Sequence, residues 1–459
     1  MAAPRLACGL ALALSASTFG CSWWRFNEVT ADPPVVLLER PETMTTGFGV
    51  TLTPAEKDGR SLLLVGGEPG TSAVALFALG GAEAPQTKAL DAHFCNGGSG
   101  ACFLGASVAY LPSTLEPAEH DSAEASSCVA LGLGSSNLDG AGVFFECQDR
   151  ASFSRKVLPK YQDDVEFALR TAQNETVVLA GDGSARPAVV VGAPAALTTG
   201  RAWYYPPDAA DPGELAPPGT TAPGYGSKVA VIATSENSWL FAVSAPSAGQ
   251  LHLFRATGTE AHYVGCLGGS LGFGRTLATG FVRAGSKASG DLPELLVSDT
   301  DTVYVLEAGQ LAALPDATGI SCSLAALPAE TLRNSFGCGS TKDTSDCSTS
   351  NFGVALAVGD VDGDGDGEVL VGAPQMTVHG THGVGAVLVY DVDQPGDGAL
   401  SDTRFITHGT NGDSIGGSVA AASIGARDVI IGGGPRSGKV ALFYCSSLVP
   451  PALRGARCE

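Results

Sequence analysis

Residues Phe352 to Pro374 read FGVALAVGDVDGDGDGEVLVGAP: two apolar runs of strand character on either side of a loop with acidic residues at alternate positions and glycine between most of them. Asp360, Asp362 and Asp364 take loop positions one, three and five, Gly365 permits a turn, Asp366 offers its backbone carbonyl, and Glu368 closes at position nine. Oxygen donors at that spacing suit calcium, which gathers roughly six to eight carboxylate and carbonyl oxygens. An EF-hand begins the same way but needs a bidentate glutamate at position twelve and a helix on each side. Position twelve here is Val371, inside a strand-like run that ends in Gly372-Ala373-Pro374. The unit is strand, loop, strand, and it cannot bury its own apolar face. It requires further copies along the chain.

The copies are present. Gly47-Phe48-Gly49 leads to LLLVGGEP at Leu62, Phe103-Leu104-Gly105 to CVALGLGSS at Cys128, and Phe167-Ala168 to AVVVGAP at Ala188. Gly224-Tyr225-Gly226 leads to LFAVSAP at Leu240, Gly272-Phe273-Gly274 to ELLVSD at Glu294, and Ile415-Gly416 to DVIIGGGP at Asp428. With the stretch at Phe352 that makes seven, irregularly spaced, as expected when strands are fixed and loops are free. After most of these ends comes a glycine and an alternating strand: GRAWYY from Gly200, GQLHLF from Gly249, GAVLVY from Gly385 and GKVALF from Gly438.

The copy at Phe352 resembles an FG-GAP repeat, the blade unit of the integrin α-subunit β-propeller and of many bacterial surface proteins, with Phe352-Gly353 as the FG and Gly372-Ala373-Pro374 as the GAP. The resemblance implies an all-β chain, a seven-bladed β-propeller over residues 36–449, with blades beginning near 47, 103, 167, 224, 272, 352 and 415. Each blade would hold four strands around a channel, and Val35 to Leu38 would pair with Lys439 to Tyr444 to close the ring. A β-sandwich also shows short strands with Gly-rich turns. The repeated order of FG, strand, loop, strand, GAP, Gly and strand favours the propeller, and so does the length.

In the family several blades commonly carry calcium loops. Here the corresponding segments Thr53–Ser61, Gly181–Pro187, Ala233–Ser238, Val282–Pro293 and Ser423–Arg427 lack three acidic residues at alternate positions. One Ca2+ is expected, held by Asp360, Asp362, Asp364, Asp366 and Glu368 in a structural role.

Met1 to Gly20 has one basic residue, Arg5, then an apolar run and small residues, the layout of an export signal over residues 1–20. Thr18-Phe19-Gly20-Cys21 resembles a bacterial lipobox, which implies a lipidated Cys21, a tether over residues 21–35 and an outer membrane lipoprotein facing the periplasm or the cell surface. The family usually has leucine where this chain has Thr18, and simple cleavage near Gly20 is the alternative. Residues 450–459 are expected to be a C-terminal tail.

Of the 12 cysteines, Cys8 leaves with the signal and Cys21 is the acylation candidate. The remainder fall into neighbouring pairs: Cys95 with Cys102, Cys128 with Cys147, Cys266 with Cys322, Cys338 with Cys347, and Cys445 with Cys458. Neighbour pairing suits blades that fold locally, free thiols are the alternative, and no CxxC points to zinc. An oxidising compartment is the expectation.

The chain carries 26 basic and 47 acidic residues, a net charge of −21. A surface this acidic disfavours nucleic acid and anionic lipid as partners. Gly268-Gly269-Ser270-Leu271-Gly272 fits the GxSxG nucleophile elbow but leads into the FG of a blade, without the helix that motif needs. His379 and His382 sit three apart in the loop after the strong GAP, and Asp299 with Asp301 in the equivalent loop before it; each reads as metal ligands or as ordinary turn residues.

Fold alone does not fix function. The first expectation is a non-enzymatic, monomeric scaffold binding a protein or glycan through the loops Pro206–Pro223, Ser321–Ser350 and Gln375–Gly383, because long loops on rigid scaffolds concentrate binding. The alternatives are a glycan-active hydrolase or lyase with its site in the channel, which needs a converging carboxylate set, and a purely structural envelope protein.

Overall fold

In this computed structural model the residues described are 35–444, less 39, 41–46, 58–59, 68–73, 80–107, 112–127, 134–141, 148–177, 182–187, 195–198, 207–212, 220–221, 236, 259, 284, 318, 320, 325–326, 329–330, 339–349, 364, 379, 393–402, 407–409 and 425–426. The segments 1–34 and 445–459 are also outside the description. Strand β1 (Val35–Leu38) opens the described chain. Next come two antiparallel sheets of three strands: β2 (Thr51–Lys57), β3 (Arg60–Gly66) and β4 (Val74–Leu79), then β5 (Val108–Leu111), β6 (Cys128–Leu133) and β7 (Gly142–Cys147).

Four-stranded sheets follow. The third sheet holds β8 (Val178–Gly181), β9 (Val189–Ala193), β10 (Arg201–Tyr205) and β11 (Gly213–Glu214). The fourth holds β12 (Val229–Ser235), β13 (Ser238–Ala245), β14 (Gln250–Thr257) and β15 (Glu260–Gly268). The fifth holds β16 (Thr276–Gly280), β17 (Glu294–Ser298), β18 (Thr302–Leu306) and β19 (Leu332–Gly337), and the sixth β20 (Leu356–Gly359), β21 (Glu368–Ala373), β22 (Ala386–Tyr390) and β23 (Thr403–Ile406). The seventh contains β24 (Ser418–Ile424), β25 (Arg427–Gly434) and β26 (Lys439–Phe443), and its outer place is filled by β1, antiparallel to β26 with Val35 opposite Phe443 and Leu38 opposite Val440.

The first strands of consecutive sheets touch one another: β2 with β5, β5 with β8, β8 with β12, β12 with β16, β16 with β20, β20 with β24, and β24 with β2. The core accordingly lies between sheets. Successive residues of a strand face opposite sides, and both sides are covered: Val369 and Val371 pack with Leu296 and Val305 of the fifth sheet, while Leu370 packs with Val419 and Ile430 of the seventh. This is why the second strands read as unbroken apolar runs such as EVLVGA instead of alternating ones. Each fully buried Val or Leu contributes about 1.5–3 kcal/mol.

The FG pairs form one turn that recurs at the entry to the first strand. Phe48, Tyr225, Phe273, Phe352 and Ile415 are buried there. The residue that follows or closes each pair, Gly49, Gly226, Gly274, Gly353 or Gly416, has φ between 78° and 90°, a region that an L side chain adopts only with strain. At Gly416 a Cβ would also lie 2.1 Å from the Ala386 carbonyl oxygen. The glycine is thus required twice over, by conformation and by space.

Some segments read as loops are strand. Thr53–Ser61 lies mostly within β2 and β3, and Ser321–Ser350 contains the outer strand β19. No helix among the described residues is long and apolar enough to cross a membrane.

Candidate metal centre

Strand β20 ends at Gly359 directly opposite Glu368, the first residue of β21. The loop between them therefore starts with Asp360 and ends on a carboxylate already fixed by the sheet. Carboxylate oxygens of Asp360, Asp362 and Glu368 lie within 4.8 Å of one another. Asp362 is 1% exposed and Glu368 4%, while Asp360 is half-buried.

Backbone amides hold the loop in shape. Gly363 N–H donates to Asp360 Oδ1 at 2.6 Å, Gly365 N–H to Asp360 Oδ2 at 3.0 Å, and Val361 N–H to Glu368 Oε2 at 2.8 Å. Gly363 and Gly365 have φ of 77° and 101°, so the chain turns through left-handed conformations there. The loop is also tied to both neighbours. Asp360 N–H donates to Asp428 Oδ2 at 2.9 Å and Asp428 N–H returns to the Asp360 carbonyl at 2.7 Å, which engages the seventh sheet. On the other side Gly367 N–H donates to the Phe281 carbonyl at 2.7 Å, and Asp366 Oδ1 accepts from Gly285 N–H at 2.8 Å.

Three carboxylates brought this close, two of them out of water, repel one another unless a cation intervenes. The donors are all hard oxygens, which fits calcium or magnesium better than a thiol- or imidazole-loving metal. The FG-GAP repeat family model matches residues 352–390, from the FG turn to the end of β22.

The sheets before and after that stretch are all antiparallel as well. No curated protein matches the chain in sequence. Among solved structures the chain is similar to a fucose-specific lectin from Aleuria aurantia in a mercury-derivative form, at 12% identity and a TM-score of 0.36, over 83% of this chain and 97% of the lectin.

The Asp366 carboxylate accepts from Gly285 N–H in the corresponding loop of the fifth sheet, and Asp364 lies outside the described residues. Cys266 and Cys322 form a disulfide. Cys338 is disulfide-bonded too, and Cys128 and Cys147 are register partners across β6 and β7. Cys21, Cys95, Cys102, Cys347, Cys445, Cys458 and His379 are outside the described residues.

The other polar residues that drew attention are turn residues. Asp299 Oδ1 accepts from Asp301 N–H at 3.0 Å and Thr302 N–H at 2.8 Å, and its Oδ2 accepts from Ser270 Oγ at 2.6 Å and Tyr304 Oη at 3.0 Å. Burial works to raise the Asp299 carboxyl, and these four hydrogen bonds outweigh it and hold the group below its ordinary range. Ser270 of the GxSxG stretch is thus tied to Asp299, and the turn leads into strand β16, not a helix. His382 Nδ1 lies 3.0 Å from Thr377 Oγ1.

The corresponding Val282–Pro293 segment, which lacks the alternating acids, has the same construction, with an arginine that the sequence reading did not single out. In the fifth sheet Gly280 ends β16 opposite Glu294, as Gly359 stands opposite Glu368. Phe281 and Arg283 take the places of Asp360 and Asp362. The Arg283 guanidinium reaches Asp291 Oδ2 at 2.5 Å, Glu294 Oε1 at 3.6 Å and Glu307 Oε1 at 3.7 Å. A fixed side-chain cation stands among carboxylates here. Only the flanking Gly and Glu positions match between the two loops.

Proposed function

We propose that this chain is a calcium-stabilised, seven-bladed FG-GAP propeller of the cell envelope that acts as a non-enzymatic scaffold for a protein or glycan ligand. The observation that carries the reading is the cluster of half-buried Asp360 with buried Asp362 and Glu368, placed in a loop that is hydrogen-bonded to its neighbours on both sides. Asp360, Asp362, Glu368 and the Asp366 carbonyl would hold calcium, with Asp364 as a further donor. The ion supplies charge neutralisation and cross-linking, which is a structural contribution.

The seven sheets are read as seven blades, and the contact from β24 back to β2 supports a closed ring. The pairing of β1 with β26 supports closure by mixing the two ends of the chain. Export, lipid attachment at Cys21 and an outer membrane location rest on the N-terminal sequence. The dense carboxylates of the described residues are committed to the cation loop and to turns, which favours binding over glycan hydrolysis in a channel.

The test is to present immobilised glycans and envelope protein fractions to the exported chain, and to follow bound material and any product by mass spectrometry. Retained ligand without turnover is expected. Release of cleaved glycan would overturn the scaffold reading in favour of a hydrolase or lyase, and absence of any ligand would favour a purely structural role.

A further inference from the structure

The fourth and fifth sheets start from the same turn. Gly226 N–H donates to the Ser244 carbonyl and Gly274 N–H to the Ser298 carbonyl, each at 2.9 Å, and the next residues, Ser227 and Arg275, donate to the same two carbonyls at 3.3 and 3.1 Å. Position by position, Arg275 replaces Ser227 and Lys228 replaces Thr276. In the fifth and seventh sheets this last position carries a short hydroxyl that reaches the next sheet: Thr276 Oγ1 donates to the Val354 carbonyl at 2.8 Å, and Ser418 Oγ to the Gly49 carbonyl at 2.5 Å. Among the described residues the Lys228 side chain makes no such bond.

Lys228 immediately precedes β12 and Arg275 immediately precedes β16, two strands that touch, and the Arg275 charge acts on the Lys228 amine. Both side chains belong to half-buried residues. Among the described residues no carboxylate pairs with either, the Lys228 ammonium donates no hydrogen bond, and Arg275 Nη2 has only the neutral Asn351 Oδ1 at 3.4 Å. Burial first, then the Arg275 charge, pulls the Lys228 amine below its ordinary value, and burial does the same to Arg275. In a chain of net charge −21 with 47 acidic residues, two half-buried cations with no acid paired to either among the described residues stand out. Burying unpaired charge is costly unless a counter-charge arrives.

We propose that Lys228 and Arg275 form an oxyanion-binding site at the junction of the fourth and fifth sheets. An ammonium and a guanidinium together supply charge-assisted hydrogen bonds to one carboxylate, phosphate or sulfate group. The site precedes the first strands of its sheets, whereas the acidic loop follows the first strand of the sixth, so the proposal stands apart from the calcium reading.

The experiment measures thermal unfolding and calorimetric titration of the exported chain with inorganic phosphate, acetate and glucuronate, each against sodium chloride at matched ionic strength. Phosphate or glucuronate should raise the unfolding temperature above the chloride control. Lys228→Met and Arg275→Met should each weaken the response at least tenfold, and Lys228→Arg should keep it. Preference for glucuronate over acetate and phosphate would identify a ligand-borne sugar carboxylate; preference for phosphate would identify a free anion. An unresponsive parent, or a folded Lys228→Met variant that responds as the parent does, overturns the proposal. Should both methionine variants fail to fold, 13C NMR of the lysine ε-carbons in the parent decides: phosphate must raise the titration midpoint of Lys228, and an unchanged midpoint contradicts the site.

Discussion

Glu294 and Glu368 occupy the same place in adjacent sheets: each opens a second strand opposite a glycine, and each accepts a hydrogen bond from a valine amide, Val282 N–H at 3.1 Å and Val361 N–H at 2.8 Å. Around one of them the chain puts aspartates, and around the other an arginine. The arginine supplies in one loop the positive charge that a bound cation would supply in the other.

Removal of the arginine strands Glu294, which is 1% exposed. Because Arg283 itself is 29% exposed, the loss is discounted from the full value for a buried pair to about 1–3 kcal/mol. Arg283→Met should lower the unfolding temperature by the same amount with calcium and with chelator. Arg283→Met combined with Glu294→Gln should cost less than the two single changes added together.

Ser414 sits immediately before Ile415 with φ of 56°, where the corresponding residues Gly47, Gly224 and Gly272 are glycine. Its hydroxyl is buried without a hydrogen-bond partner. Ser414→Gly relieves both costs and should stabilise the protein by about 1 kcal/mol, read as a shift in denaturant midpoint. Gly416→Ala, two residues on, should destabilise it by about 2 kcal/mol or more, because the new Cβ meets backbone as well as strain.

These turns were legible in the sequence because aromatic-glycine pairs are rare enough to count, and Phe48, Tyr225, Phe273 and Phe352 each lie in one. The second strands were legible because both of their faces are buried, which leaves uninterrupted Val and Leu. Outer strands were not. β11 has two residues, and β19 is hidden in a polar stretch, because an edge strand has one paired neighbour and little apolar pattern to display. Of the candidate site, the aspartate spacing was readable, since its donors are local. Arg283 was invisible for the opposite reason: its partners Asp291, Glu294 and Glu307 come together only through the sheet. The Lys228 and Arg275 pair is likewise a product of packing between sheets.

His252 is buried beside Tyr263, whose hydroxyl lies 3.2 Å from Nδ1, and its Nε2 has no hydrogen-bond partner. Burial pushes the imidazole down to about 4 from 6.5. The folded state therefore binds this proton less readily than the unfolded chain, and stability contributed by neutral His252 is present above pH 6.5 and is lost as pH falls toward 4. The loss amounts to about 3 kcal/mol. Parallel unfolding curves of the parent and His252→Leu across that range should differ in slope, the variant being the flatter.

The Cys266–Cys322 disulfide spans 56 residues of sequence and joins the end of the fourth sheet to the segment after β18. Closing a loop of that length restricts the unfolded chain by about 4 kcal/mol in the chain-entropy account. Replacing both cysteines with serine should lower stability by about 2–4 kcal/mol, measured under oxidising conditions against the parent.

Calorimetric titration of calcium into the chelator-treated chain, with unfolding followed alongside, tests the central claim. The account predicts heat from one site with a dissociation constant on the order of 10⁻⁴ to 10⁻³ M, a rise in unfolding temperature with calcium, and loss of both in Asp362→Ala. An absence of heat at millimolar calcium, with the same unfolding temperature in calcium and in chelator, would contradict it.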